Sequence, residues 1–280
     1  MNKKNAVGFV LLAGCFVYLY YHVIAKLVHD WSVDGNYSHG FLIVPIALYF
    51  VWERRSHLKK AERKPTYWGL VILITSLAAL MAGILGSELF LTRFSILGTI
   101  SGSILFLFGR NHFKILFLPI AFLLLMIPIP AIIFNKLAFP LQLLASRFGE
   151  MALMAAQVPV LREGNVIHLT NTSLEVAEAC SGIRSLISLL TLGIVYGYFT
   201  ESRLWIRIVL AVGAIPIAIV ANGIRVAGTG VAAHFYGAQA AEGFFHSFSG
   251  WIIFIAAFIL MFILHRILVL LVRGKSVKTA

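Results

Sequence analysis

The chain has 280 residues, of which 60% are hydrophobic and only 12% charged, with a formal net charge of +12. A mean hydropathy of +0.92 leaves too little polar surface for a water-soluble domain, so the composition indicates an all-α polytopic membrane protein and excludes a soluble enzyme or binding module. The basic residues cluster between apolar runs, as cytoplasmic loops do; the charge therefore reads as topology, not as a nucleic-acid partner.

A helix needs about 20 apolar residues to cross the hydrocarbon core. Taken in chain order, the apolar runs predict eight spans, at roughly 6–27, 40–52, 68–87, 92–109, 114–134, 183–200, 205–222 and 248–271. The first follows Asn2-Lys3-Lys4 and contains Leu12-Ala-Gly-Cys15, which imitates a lipoprotein signal peptide. Its apolar run continues past Cys15 to Ile24, so we read a retained helix in which Cys15 behaves as a small hydrophobe. With only Cys15 and Cys180 in the chain, disulfide scaffolding is not expected.

The second run, Phe41 to Trp52, is short for a crossing, and charge arbitrates. With eight spans and both termini inside, sixteen of the 23 basic residues fall on the cytoplasmic side: Lys3, Lys4, Arg54, Arg55, Lys59, Lys60, Arg63, Lys64, Arg110, Lys114, Arg203, Arg207, Arg266, Arg273, Lys275 and Lys278. Removing the second span would put the richest basic loop outside. The result is a single transmembrane domain over 1–280 with extracytoplasmic segments at about 28–39, 135–182 and 223–247. Residues 135–182 predict an interfacial helix, a turn at Arg162-Glu-Gly-Asn165, and a hairpin arm over Val166 to Leu174. Val226 to Tyr236 is too short to cross and is expected to be interfacial or re-entrant.

This topology brings three chemically capable residues to one face: Cys180 before the sixth span, Arg225 after the seventh and His246 before the eighth. A thiol nucleophile needs activation, a proton carrier and a group to stabilise an oxyanion. Cys180-Ser181-Gly182 lies where a helix begins, so free backbone N–H groups and the positive helix end would lower the thiol pKa. Asn222-Gly-Ile-Arg225 offers a flexible turn that could aim a guanidinium at the oxyanion. His246 can give a proton to a leaving amine and take one from the incoming nucleophile.

Each residue also has a plainer reading: Cys180 as a buried small residue, Arg225 as an interfacial anchor, His246 as a helix-entry residue. Arg184, four residues after Cys180, competes with Arg225 for the electrostatic role. Glu178, Ser181 and Asn222 are possible supporting residues. His29, Asp30 and His39 share the external side, but their spacing matches no zinc signature, and neither metal nor cofactor is expected.

The combination resembles the exosortase/archaeosortase family of membrane cysteine proteases and transpeptidases. The matching stretches are Asn36-Tyr-Ser-His-Gly-Phe41 with Trp52-Glu-Arg-Arg55, Met126-Ile-Pro-Ile-Pro130, Phe139-Pro-Leu-Gln142 and Arg162-Glu-Gly-Asn-Val166. Glu175-Val-Ala-Glu-Ala-Cys-Ser-Gly-Ile-Arg-Ser185, Asn222-Gly-Ile-Arg225, and His246 with Gly250-Trp251 complete the set. The resemblance implies a Cys-Arg-His site carried on Cys180, Arg225 and His246, with His rather than Arg in third place as in bacterial members. It further implies cleavage of a carboxy-terminal sorting signal on exported proteins: a short motif such as Pro-Glu-Pro, a transmembrane helix and a basic tail. The implied setting is the outer face of the bacterial cytoplasmic membrane, linked to sorting of envelope or polysaccharide-associated proteins. Expected partners are these membrane-anchored substrates, the bilayer and a lipid or polysaccharide acceptor. A transporter or export component, and a non-catalytic scaffold for envelope assembly, are the alternatives.

Overall fold

Backbone groups in hydrocarbon have no water to bond, so a chain this apolar satisfies them within helices. The structure, a computed structural model, describes residues 3–170, 173–176, 182–237 and 244–276; side chains are described over the same ranges except 3–7, 9, 244–249 and 273–276. Contacts divide the chain into two units, Met1–Pro130 and Ala131–Ala280.

The first unit holds α1 (Lys3–Val33), α2 (Gly40–Glu53), α3 (Arg55–Lys60), α4 (Tyr67–Leu85), α5 (Leu89–Leu107) and α6 (Arg110–Phe122), the last extended by a 3-10 turn over Leu123–Met126. α4 and α5 form an antiparallel pair whose backbones nearly touch. A Cβ added at Gly102 would stand 2.7 Å from the Leu73 nitrogen and 2.9 Å from the Gly69 oxygen, the small-residue contact that lets membrane helices approach closely. α1 docks on α5 through the buried Tyr20, whose hydroxyl lies 3.0 Å from Ser95 Oγ and 2.7 Å from Thr99 Oγ1. Arg93 is 3% exposed and pairs with Asp30, which Lys26 also contacts at 3.2 Å; a guanidinium so buried needs such a counter-charge.

The end of α1 and the loop after it are fastened to the 3-10 turn. Trp31 Nε1 donates to the Met126 carbonyl at 2.9 Å, and His39 Nε2 donates to that of Leu125 at 3.0 Å. Burial holds the His39 imidazole below its ordinary pKa, consistent with a neutral ring bonding a carbonyl.

The second unit holds α7 (Ala131–Ala155), a three-stranded antiparallel sheet of β1 (Val160–Glu163), β2 (Val166–Leu169) and β3 (Ser173–Glu175), then α8 (Ile183–Thr200), α9 (Leu204–Tyr236) and α10 (Phe244–Ser276). α9 is its hub, packing on α7, α8 and α10. Ile206, Leu210, Ala214, Ala218 and Ala221 recur every three or four residues along one stripe of α9 and meet Leu189 of α8 and Ala257 and Met261 of α10. Further along α9, Val226 and Ala233 join Ala145 and Leu153 of α7 and Ile167 and Leu169 of β2 in a second core.

Among the described residues, six helices are long and apolar enough to cross a membrane: Val10–Val33, Tyr67–Leu85, Leu89–Leu107, Ile183–Thr200, Leu204–Tyr236 and Gly250–Val272. Arg110–Met126 and Ala131–Ala155 make a seventh if they count as one span. Gly40–Glu53, the predicted second span, is apolar but only 14 residues long.

Three expectations change. The fifth predicted span, 114–134, is interrupted, because Pro128 and Pro130 remove backbone donors and push their preceding residues out of helix. The interfacial helix expected within 135–182 begins earlier, as α7 at Ala131. The seventh span does not end at Asn222: α9 runs unbroken for 33 residues, and the stretch expected to turn at Asn222-Gly-Ile-Arg225 and to be re-entrant at Val226 to Tyr236 is helical throughout. The glycines there serve packing rather than bending. A Cβ at Gly223 would stand 2.8 Å from Phe148 Cβ, and one at Gly230 would stand 2.9 Å from Leu153 Cδ1, so both keep α9 close to α7.

Candidate functional site

α9 sets the depth of the candidate residues. At about 1.5 Å per residue, the 21 steps from Leu204 to Arg225 cover about 32 Å, close to the about 30 Å hydrocarbon core. Arg225 therefore stands at the far boundary when Leu204 stands at the near one. α8 runs antiparallel to α9 and begins at Ile183, and α10 returns with His246 in its first turn. Arg225, the start of α8 and the first turn of α10 thus sit at the same end of the second unit.

Two contacts join these elements beside the candidate residues. Gly182, the N-cap of α8, has φ +78°, and a Cβ there would stand 2.8 Å from Asn222 Cγ. A left-handed backbone and a side chain pressed on its Cα both favour glycine. One turn further along α9, a Cβ at Gly250 would stand 3.8 Å from the Arg225 guanidinium. Gly182 lies two residues after Cys180, and Gly250 one helical turn after His246. A cavity of about 10 Å³, near the lower limit for one water, lies beside Gly182 and Asn222 and is also lined by Leu141, Ala145, Leu186 and Ile219.

The approach to Cys180 is anchored from the sheet. β1 and β2 are joined by Gly164-Asn165, a two-residue hairpin with Gly164 at φ +63°. Ser146 Oγ of α7 donates to the Gly164 carbonyl at 2.9 Å, and Arg162 Nε bonds Glu150 Oε2 at 2.9 Å, so the hairpin is pinned to α7. The Asn165 carbonyl accepts the Val176 N–H at 2.9 Å, and Asn165 Nδ2 donates to the Val176 carbonyl at 3.3 Å. Val176, four residues before Cys180, is 2% exposed.

Cys180, Glu178 and Ser181 lie outside the described residues, and the His246 side chain is outside the described side chains. Asn222 is buried and Arg225 half-buried, whereas Arg184, in the first turn of α8, is exposed. α8 starts at Ile183, so the spacing from Cys180 to Arg184 is not a turn of that helix. Arg225 faces Gly250 on the helix that carries His246.

The predicted external histidines do not assemble. His39 bonds the Leu125 carbonyl, Asp30 pairs with Arg93, and His29 is exposed. Among the described residues, no group of three His, Cys, Asp or Glu is placed to hold a metal ion. Sequence reasoning missed the pairing of Gly182 with Asn222 and the tie between Asn165 and Val176. A glycine between a cysteine and an apolar run was the only signal for the first.

At the opposite end of the same helices, Tyr196 Oη lies 2.8 Å from His265 Nδ1, and His265 Nε2 lies 3.9 Å from Glu201 Oε2. The Glu201 carboxylate accepts the backbone N–H groups of Arg203 and Ser202, at 3.1 and 2.8 Å, which hold it below the usual carboxylate range. This end ties α8 to α10 and carries no part of the predicted site.

A helical, multi-pass membrane protein is the class that this fold defines. The transmembrane exosortase family model matches residues 31–263, most of the chain, and the protein belongs to that family. Membership makes it a membrane protein involved in sorting. No match was found among curated proteins or among solved structures.

Proposed function

We propose that this protein is a membrane cysteine protease and transpeptidase that cleaves the carboxy-terminal sorting signal of exported proteins at the outer face of the bacterial cytoplasmic membrane. The observation that carries the reading is the meeting of three elements at α9: Gly182 packs on Asn222, and Gly250 faces the Arg225 guanidinium, which a Cβ there would meet at 3.8 Å. Both contacts lie within the stretch matched by the family.

In this reading the Cys180 thiolate attacks the scissile carbonyl, and the Arg225 guanidinium stabilises the resulting oxyanion. His246 protonates the departing amine as the C–N bond breaks, releasing the transmembrane helix and basic tail. The N-terminal product remains as a thioester on Cys180. An acceptor amine or hydroxyl, or water, then attacks that thioester after His246 takes its proton. A short Pro-Glu-Pro-type motif preceding the substrate helix would emerge at the membrane depth of Arg225. The partners are such membrane-anchored proteins, with a lipid or polysaccharide acceptor where transpeptidation follows.

The test is processing of a tagged substrate bearing a short motif, an apolar helix and a basic tail, co-expressed with wild-type protein or Cys180→Ala. Wild type yields the shortened product, and Cys180→Ala leaves the full-length precursor. Processing at the wild-type rate by Cys180→Ala would refute the reading.

A further inference from the structure

The first unit contains a cleft of about 770 Å³ that the catalytic reading does not use. The volume lies within the about 300–1,000 Å³ typical of ligand sites. Its walls are apolar side chains of α2, α5 and α6, including Leu48, Ile104 and Leu116. Only three polar side chains line it, Lys59, Arg63 and His112, and no acidic residue does.

The basic rim is a built shelf. The Lys64 N–H donates to the Phe108 carbonyl and the Thr66 N–H to that of Leu105, each at 3.2 Å, and Asn111 Nδ2 donates to the Glu62 carbonyl at 3.4 Å. These bonds hold the segment after α3 against the turn between α5 and α6. The Arg63 guanidinium lies 5.3 Å from the centre of the Phe108 ring. The nearby Glu62 carboxylate is met by Lys64 at 2.9 Å. His112 is a second, independent signal: it is only 7% exposed, and its Nδ1 atom has no hydrogen-bond partner among the described residues. A buried polar atom without a partner is destabilising, so a ligand group there would remove a penalty.

We propose that this cleft holds one anionic phospholipid of the cytoplasmic leaflet, its phosphate at Lys59 and Arg63, one acyl chain along the apolar wall, and an ester or headgroup oxygen near His112. Charge complementarity selects the occupant. Basic pockets between spans on the cytoplasmic side favour anionic headgroups, and a transmembrane peptide with a basic tail would meet like charge at this rim. The cytoplasmic assignment rests on the basic loop Arg54 to Lys64. The proposal is independent of Cys180 chemistry.

Native mass spectrometry of the full chain in a neutral detergent tests it, with phosphatidylglycerol, phosphatidylcholine and inorganic phosphate as probes. Wild type should retain one phosphatidylglycerol at least tenfold more tightly than phosphatidylcholine, and inorganic phosphate should not displace it. The exposed double variant Lys59→Gln/Arg63→Gln should lose that preference, and Leu48→Trp, which narrows the apolar wall at an exposed position, should weaken retention. Equal retention of the two lipids by wild type, or an unchanged preference in the double variant, overturns the proposal. So does displacement by inorganic phosphate alone, or crosslinking of a co-expressed substrate helix to Leu48 in place of lipid.

Discussion

Arg225 is the described residue on which the proposed chemistry turns. Its guanidinium faces Gly250, on the helix that carries His246, and it lies one turn from Asn222. If it stabilises an oxyanion, Arg225→Ala should lower substrate processing about 10²–10³-fold while thermal stability stays near wild type. Arg225→Lys should recover little, because an ammonium lacks the planar fork of donors. Quantitative immunoblotting of precursor and product measures both. Glu201 makes a separate prediction at the other end of the helices. Its folded pKa is depressed, so its contribution to stability is complete above the unfolded value of about 4.3 and is lost as pH falls through the lower folded value. Thermal unfolding in detergent from pH 7 to pH 3 should therefore show a smaller acid loss in Glu201→Gln than in wild type.

Among elements, the α4–α5 pair and the α9 hub define the packing. Gly102→Val adds two methyl groups where even a Cβ would stand 2.7 Å from backbone, so the two helices must separate. Overpacking of this kind costs about 1–3 kcal/mol, which a lowered melting temperature in detergent should report. Although the Pro128-Ile-Pro130 break inside the predicted 114–134 span was not read, most elements could be read from the sequence, since apolar runs of span length act locally. The turn at Gly164-Asn165 was equally legible. The continuation of α9 was not. Asn222, Gly223, Gly228 and Gly230 look like punctuation in one dimension, and the packing of Asn222 against Gly182 and of Gly223 and Gly230 against α7 exists only in three. For the same reason the sequence supplied the candidate residues but not the contacts of Gly182 and Gly250 that bring their segments to α9.

At the scale of the whole molecule, charge and hydropathy set a multi-pass helical membrane protein, and the family match spans both units from residue 31 to residue 263. The first unit then offers a basic-rimmed apolar cleft, and in the second Arg225 shares one end of the bundle with the first turns of α8 and α10. The central claim is that the sulfur of Cys180 carries the substrate acyl group. Its most direct measurement is peptide mapping by mass spectrometry after acid quenching of purified protein mixed with a tagged sorting-signal substrate. The account predicts an adduct of the substrate's N-terminal fragment on Cys180, released by hydroxylamine and absent from Cys180→Ser. Cleavage of the substrate with an acyl adduct on a different residue, or by the Cys180→Ser protein at an undiminished rate, would contradict it.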